Sequence, residues 1–226
     1  MEPIYVLLRS VLLPWLHLWF RWTIEGAENI PARGPAILAF NHIAFLDPLA
    51  AAYVVDRTGR RPRFLAKSEL FQDKRIRWLL KGAGQIEVRR GTRDAPIALD
   101  KAVKALSKGE IIVIFPEGTI TTDPDLYPMD AKSGLARLAL ATSAPVIPCA
   151  LWGTQNVWPK GFEAHWRPRQ DILVRVGEPM PVEGDLEDRG SWDGLGAAVM
   201  ERIALLLASL RPVVPDRRRP LKKSAA

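Results

Sequence analysis

The feature that most constrains the fold is a series of short apolar runs of strand length, separated by segments of helix length. Seven runs have this character: 22–26, 35–40, 63–67, 85–88, 110–115, 145–152 and 172–176. Between them, helical patterns extend over 47–55, 70–81, 95–106, 133–142 and 195–210. Because strands alternate with helices, the sequence predicts an α/β fold with a mostly parallel central sheet flanked by helices.

The segment 4–20 is almost wholly apolar and precedes the first strand. A signal peptide is disfavoured because Glu2 stands where a basic start is expected. A spanning helix is disfavoured because the run is short and contains Arg9. We expect an N-terminal membrane-associating helix lying in the interface, with Arg9 and Arg21 reaching toward water and three tryptophans at headgroup depth: Trp15, Trp19 and Trp22. The alternative is a hydrophobic helix packed on the protein's own core.

A chain of 226 residues suits one main domain with a short appendage. We divide it into the N-terminal helix over 1–22, the main domain over 23–212 and a basic, disordered tail over 213–226. The single cysteine, Cys149, lies in an apolar run and is expected to be a packed core thiol.

The net charge of +7 favours an anionic partner, which leaves nucleic acid, a membrane surface or a phosphorylated substrate open. Between Arg60 and Arg93 there are eleven Lys and Arg residues against three acidic residues. One segment therefore carries the basic character of the chain.

The first candidate site is Asn41-His42-x4-Asp47, which follows the strand 35–40 and precedes Pro48. In open α/β sheets, ligands bind at the carboxyl ends of strands. A carboxylate that accepts from one imidazole nitrogen leaves the other nitrogen to take a substrate proton, so His42 and Asp47 form a general-base pair in outline. The alternative is that Asp47 is only the N-cap of the next helix and His42 an ordinary turn residue.

Two further groups are predicted at the same edge of the sheet. Phe115-Pro116-Glu117-Gly118-Thr119 follows a strand, and its backbone N–H groups are candidates for an anion site, against the alternative of an ordinary β-turn with Glu117 solvated. Lys67 and Arg90 end two neighbouring strands and are candidates for a phosphate site, against the alternative of a solvated or membrane-facing surface. No metal-ligand spacing is present, so no metal site is predicted.

Four blocks occur in order along the chain and together resemble the glycerolipid acyltransferase family, which includes the bacterial 1-acylglycerol-3-phosphate acyltransferases. The blocks are Asn41-His42-x4-Asp47, Gly84-x-Ile86-x-Val88-x-Arg90, Phe115-Pro116-Glu117-Gly118-Thr119 and Val146-Ile147-Pro148-Cys149-Ala150. The resemblance covers over half of the chain and implies that 23–212 is an acyltransferase domain.

The resemblance implies transfer of a fatty acyl group from acyl-CoA or acyl carrier protein to a lysophospholipid hydroxyl, with no cofactor beyond that co-substrate. His42 falls on the family's catalytic base and Asp47 on its orienting carboxylate. The substrate-binding positions are expected at Asn41, Lys67, Arg90, Glu117, Gly118 and Thr119. The acceptor implied is 1-acylglycerol-3-phosphate, and the expected location is the cytoplasmic face of the cell membrane, with peripheral or monotopic attachment to an anionic surface.

Two departures leave the acceptor open. Ile120 stands where the family usually has an arginine after Glu-Gly-Thr, which removes a phosphate contact. Arg89 stands where an acidic residue often precedes the arginine of the second block, and it is a candidate to compensate for that loss. A glycolipid, another lysolipid or a simple alcohol remains an alternative acceptor. A protein of another class, which binds anionic membranes without catalysis, also remains open; nucleic acid is the weaker partner because no aromatic and basic interleaving is present.

Overall fold

The computed structural model describes residues 3–88 and 95–218. Within them, one seven-stranded sheet has the order β1-β7-β6-β2-β5-β3-β4. The strands are β1 (Phe20–Glu25), β2 (Ala36–Phe40), β3 (Pro62–Lys67), β4 (Ile86–Val88), β5 (Ile111–Ile114), β6 (Val146–Trp152) and β7 (Gln170–Val176). Each begins within two residues of an apolar run that predicted it.

Strand direction places five strand ends at one edge of the sheet. β2 to β6 are mutually parallel, whereas β7 is antiparallel to β6, and β1 is parallel to β7. The predicted mostly parallel sheet is confirmed, with one antiparallel junction. We call the edge at which β2 to β6 end the carboxyl edge; β1 and β7 begin there because they run the opposite way.

The helices are α1 (Pro3–Trp19), α2 (Asp47–Arg57), α3 (Ser68–Gln72), α4 (Lys74–Gly82), α5 (Ala95–Ser107), α6 (Gly134–Thr142) and α7 (Arg189–Leu210). The single helix predicted over 70–81 is wrong: Asp73 takes an extended conformation and separates α3 from α4. Aspartate favours such breaks because its side chain competes for backbone groups. α7 begins six residues before the predicted start, where the carboxylate of Asp188 accepts from the N–H groups of Gly190 and Ser191.

Alternate residues of the buried strands face two separate cores. In β2, Leu38 and Phe40 pack with α1 and α2 on one face, while Ile37 and Ala39 pack with α5, α6 and α7 on the other. This alternation follows from the pleat of a strand and requires both faces to be covered. The rigid sheet between the two cores holds the residues of the carboxyl edge in place.

The N-terminal helix packs on the domain with one side and exposes apolar residues on the other. It ends at Trp19, three residues before the predicted boundary of the N-terminal segment. Leu16 is fully buried, and Leu12 and Leu13 pack against the same core. The opposite side carries an outer ridge, which we define as Leu7, Val11 and Leu18, exposed by 60%, 66% and 79%.

The aromatic and basic residues expected at a membrane interface instead contact the domain. Trp22 stacks on Tyr53 with ring centroids 4.1 Å apart and donates to the carbonyl of Leu16. Trp15 and Trp19 are half-buried against the core. Arg9 pairs with Asp56 and Arg21 with Asp171, but both arginine side chains stay exposed, by 50% and 59%. The expected placement of these five side chains at a membrane interface stays a prediction. In the part of the chain that is described, no helix combines the length and the apolar character that crossing a bilayer requires.

The beginning of the predicted disordered tail is ordered. Val214 is buried and its carbonyl accepts from the indole of Trp152, while the carbonyl of Pro215 accepts from Asn156. Disorder is therefore wrong for 213–218, because apolar burial and hydrogen bonds tie this segment to the domain. The rest of that prediction, 219–226, lies outside the described residues. Cys149 is fully buried in β6, as predicted, and burial raises the pKa of its thiol.

Candidate active site

The turn after β2 is built around the carboxylate of Asp47, which is fully buried and accepts four hydrogen bonds. Its Oδ2 accepts from Nδ1 of His42 at 2.8 Å and from the N–H groups of Ile43 and Ala44 at 2.6 and 2.8 Å. Its Oδ1 accepts from the hydroxyl of Thr154 at 2.6 Å. Four donors from two segments therefore fix the orientation of the carboxylate.

This arrangement corrects one sequence prediction. The N-cap position of α2 is Leu46, and no side chain caps the first turn of this helix. Asp47 satisfies the N–H groups of the turn that precedes it instead. The interpretation of Asp47 as an N-cap is wrong because its carboxylate points back toward His42.

The imidazole of His42 has one nitrogen held and the other left available. Since a carboxylate can only accept, its contact places the proton on Nδ1 and leaves Nε2 as the basic nitrogen. Nε2 makes no hydrogen bond with the described residues, and the side chain is 16% exposed. The ring stacks on Phe115 with centroids 4.3 Å apart, which fixes its plane. This is the geometry of a general base beside its orienting carboxylate.

Glu117 supports His42 from the neighbouring strand end. Its carboxylate is buried, with Oε1 accepting from the N–H of His42 at 2.8 Å and Oε2 from the N–H of Met129 at 3.1 Å. Burial raises the pKa of Glu117 to about 7, although both backbone contacts oppose that rise. The alternative interpretation, in which the carboxylate of Glu117 is solvated, is wrong. The contacts give Glu117 a positioning role, and its predicted contact with substrate stays a prediction.

Phe115 to Gly118 form a β-turn, as the alternative interpretation had it. The N–H of Gly118 donates to the carbonyl of Phe115 at 2.9 Å, and Gly118 has a φ of 73°. Glycine suits this position because side chains rarely adopt that conformation. Thr119 follows at the same edge and is half-buried. Binding of an anion by this segment stays a prediction.

Asn41 joins the first block to β6. Its side-chain amide donates to the carbonyl of Leu151 at 3.0 Å and its side-chain oxygen accepts from the N–H of Leu151 at 2.7 Å. These contacts extend the pairing of β2 with β6 by one residue and give Asn41 a positioning role. Contact between Asn41 and substrate stays a prediction.

The two residues of the predicted phosphate site differ in what can be said of them. Lys67 is the last residue of β3, pairs with Val88 of β4 and lies at the carboxyl edge, on the side of β5 away from His42. The sheet thus brings Lys67 to the edge where it was expected. Arg90, two residues beyond Val88 in the sequence, lies outside the described residues.

Sequence reasoning missed two contributors to the site. Thr154 binds Asp47 from 107 residues away, and Phe115 supplies the ring on which His42 stacks. Thr154 comes two residues after the end of β6, so it could have been found by treating the polar residues after every predicted strand as candidates. Nothing in the sequence indicates which side chain it contacts.

The chain is similar to proteins of one family. The family model described as acyltransferase matches residues 21–152. The chain is 30% identical over 167 residues to the chloroplastic 1-acyl-sn-glycerol-3-phosphate acyltransferase BAT2 of Brassica napus, with 73% of this chain and 46% of that protein covered. It is 35% identical over 152 residues to the 1-acyl-sn-glycerol-3-phosphate acyltransferase of Borreliella burgdorferi, with 65% and 58% covered. The chain therefore spans about half of the length of these relatives.

A solved structure has the same fold over most of the chain. It is the crystal structure of the 1-acyl-sn-glycerophosphate acyltransferase PlsC from Thermotoga maritima, with a TM-score of 0.67 and 27% sequence identity. The match covers 92% of this chain and 78% of that one.

Proposed function

The chain belongs to the acyltransferase family, and we propose that it is an O-acyltransferase that moves a fatty acyl group from a thioester to a lysophospholipid hydroxyl. The observation that carries this proposal is the His42–Asp47 pair, whose remaining imidazole nitrogen is available to a substrate. A thioester is already activated, so a base that deprotonates the acceptor is sufficient and no protein nucleophile is needed.

In the proposed reaction, Nε2 of His42 takes the proton of the acceptor hydroxyl as its oxygen attacks the thioester carbonyl. The tetrahedral intermediate then breaks its carbon–sulfur bond, and the departing thiolate takes the proton back from the imidazolium. Asp47 stabilises that imidazolium and, with Phe115, holds the ring in one orientation. General-base catalysis of this kind contributes on the order of 10²–10⁴-fold. Orientation of the two substrates supplies a further share.

We propose 1-acylglycerol-3-phosphate as the acceptor, which gives phosphatidic acid as the product. The names of the relatives support this choice, and so does Lys67 at the carboxyl edge, where it and Arg90 would bind the phosphate. A different lysolipid or a glycolipid is the second candidate, because Ile120 occupies the usual arginine position and is buried. Product analysis with a panel of acceptors, for the wild type and Ile120→Arg, separates these two.

We also propose that the enzyme works at the cytoplasmic face of the membrane. The outer ridge of α1 is apolar. Trp158 and Trp166 are each 40% exposed, and the ring centroid of Trp166 lies 6.0 Å from that of Trp15 in α1. The ring centroid of Trp158 lies 5.4 Å from that of Phe45, which is in the turn after β2. Apolar surface of this kind, with tryptophans, suits the interfacial region of a bilayer. The donor would be acyl-CoA or acyl carrier protein.

The test is acyl transfer by His42→Ala and Asp47→Asn, with lipid products identified directly. We expect each substitution to lower kcat by about 10²-fold or more, because the base or its orienter is lost. His17→Ala serves as the matched control, since His17 contacts Tyr53 away from this site. Near-normal turnover in either site variant, with unchanged circular dichroism, would overturn the mechanism, and failure of the wild type to transfer an acyl group would favour a non-catalytic membrane-binding protein.

A further inference from the structure

A basic cleft opens at the carboxyl edge beside the beginnings of β1 and β7. Its volume is about 370 Å³, and its charged and titratable lining consists of Arg21, His165, Arg167, Arg169, Asp171 and Arg217. We propose that this cleft binds the phosphate groups of the acyl donor, at the far end of its pantetheine arm. The inference rests on the proposed function, because it takes the donor to be a phosphopantetheine thioester.

The charges in the cleft are mostly uncompensated. Arg21 makes two hydrogen bonds of 2.8 Å to Asp171, so this pair is neutral together. The side chains of Arg167, Arg169 and Arg217 make no ion pair or hydrogen bond within the described part of the chain. Three arginines that line one cleft without an ion-pair partner of their own are suited to phosphate, whose oxygens accept from guanidinium N–H groups.

The backbone that carries these arginines is held in place rather than free in solvent. The side-chain amide of Gln170 donates to the carbonyls of His165 and Arg167, and the N–H of Arg169 donates to the carbonyl of Trp19 at 2.6 Å. Arg169 has a φ of 60°, which is uncommon outside glycine. The N–H of Arg217 donates to Asn156 at 2.6 Å. The backbone positions of the three arginines are therefore fixed, while their side chains are exposed to solvent and accessible to a ligand.

An unpartnered buried atom supports the same interpretation. The Nε2 atom of His165 is buried and has no hydrogen-bond partner among the described residues. Because buried polar atoms in proteins nearly always have a partner, this nitrogen is an unsatisfied polar atom in one of the residues that line the cleft.

The position of the cleft relative to His42 indicates the donor rather than the acceptor. His42 follows β2, Lys67 ends β3 on one side of it, and the cleft adjoins β7 and β1 on the other side. With strands about 4.8 Å apart, β7 and β1 lie about 10 and 14 Å from β2. Two substrates that meet at one base must approach from different sides. The phosphate of the acceptor is proposed beside Lys67, so the opposite side remains for the donor.

One short segment connects the cleft to the catalytic pair. The 3₁₀ turn Thr154–Asn156 places Thr154 against Asp47 and Asn156 in the lining of the cleft. The turn itself is buried, so a pantetheine arm anchored by its phosphate in the cleft would pass over it toward His42. CoA and acyl carrier protein both carry that arm and its phosphate, so the shared chemistry does not depend on which one is used.

The experiment compares donors with and without phosphate. We combine Arg167→Gln, Arg169→Asn and Arg217→Gln, with asparagine chosen at 169 because it tolerates the left-handed backbone. The expected result is a rise of about tenfold or more in KM for acyl-CoA, with or without a rise for acyl carrier protein, since charge-assisted contacts are lost. A rise for acyl carrier protein alone would contradict a phosphate site. Transfer from an S-acyl-N-acetylcysteamine, which lacks phosphate, should be unchanged. The matched control combines Arg33→Gln and Arg57→Gln, two exposed arginines at the opposite edge of the sheet.

The outcomes distinguish a failure of the proposed donor site from a failure of the proposed acyltransferase function. A rise in KM for both carriers assigns the shared phosphopantetheine phosphate, and a rise for acyl-CoA alone assigns the nucleotide phosphates of CoA. The inference would be overturned by unchanged KM values for both carriers, or by an equal loss of transfer from the truncated donor. It would also be overturned if the substitutions raised only the KM for the lysophospholipid or only the dissociation from vesicles. If wild-type protein transfers no acyl group from any donor, the proposed function itself fails.

Discussion

At the scale of single residues, the site depends on two carboxylates that have different roles. The carboxylate of Asp47 orients the imidazole of His42, whereas that of Glu117 holds the backbone of the same residue. In a second backbone contact, the N–H of Thr121 donates to the carbonyl of His42 at 2.7 Å, so both the N–H and the carbonyl of His42 are held. The base is thus positioned through both its side chain and its main chain.

The buried Glu117 makes folding stability depend on pH. Its pKa is raised from 4.5 to about 7 by burial, so the folded protein binds this proton more tightly than the unfolded chain does. Where the folded state holds more protons, stability falls as pH rises. The stability that the proton on Glu117 contributes should therefore be lost between about pH 4.5 and about pH 7, and the loss should be complete above that range.

The prediction is tested with Glu117→Gln, which cannot ionise. We expect the free energy of unfolding of the wild type, relative to this variant, to fall by about 3 kcal/mol across that pH range. Urea denaturation at a series of pH values gives this difference directly. Glu201→Gln, at an exposed position of α7, controls for the removal of a carboxylate elsewhere. A difference between wild type and Glu117→Gln that is flat across the range would contradict the assignment.

At the scale of elements, the turn after β6 connects the sheet to the catalytic pair. Gly153 begins this turn with a φ of 99°, and a Cβ placed there would lie 2.1 Å from the carbonyl oxygen of Asp171 in β7. Both the conformation and the close approach require glycine. The turn then presents Thr154 to Asp47, so the placement of that hydroxyl depends on Gly153.

Gly153→Ala should therefore reduce both stability and turnover. The matched control is Gly161→Ala, where φ is also positive, at 77°, but no atom lies within 4 Å of the added Cβ. We expect the control to cost about 1 kcal/mol from the backbone conformation alone, and Gly153→Ala to cost at least about 2 kcal/mol more. Thermal and urea unfolding measure the two costs. Equal destabilisation would mean that β7 moves aside easily and that the turn is not fixed in this way.

The sequence predicted the elements better than their tertiary contacts. Apolar runs and their spacing placed all seven strands, and the position of His42 after β2 followed from one strand end, because these signals are local. The break at Asp73 was missed because the helical period continues across it. The contact of Thr154 with Asp47 and the burial of Glu117 were missed because each depends on a segment that is distant in sequence.

At the scale of the whole molecule, α1 and the carboxyl edge lie together. α1 ends at Trp19 where β1 begins, and β1 begins at the carboxyl edge. Leu18, the most exposed residue of the outer ridge, is therefore at the end of the helix that adjoins the site. A bilayer that touches this ridge would therefore lie beside the edge of the sheet that carries His42.

The outer ridge should therefore determine membrane binding. The combined variant Leu7→Ser, Val11→Ser and Leu18→Ser should weaken co-sedimentation with anionic phospholipid vesicles by about 100-fold, because each side chain contributes roughly 1 kcal/mol or more when buried. Transfer to a short-chain, water-soluble acceptor should be retained, since these side chains face away from the core. Leu205→Ser, at 58% exposure on α7, is the matched control for Leu18→Ser. Wild-type vesicle binding by the combined variant would place the membrane contact elsewhere, with Trp158 and Trp166 as the next residues to replace.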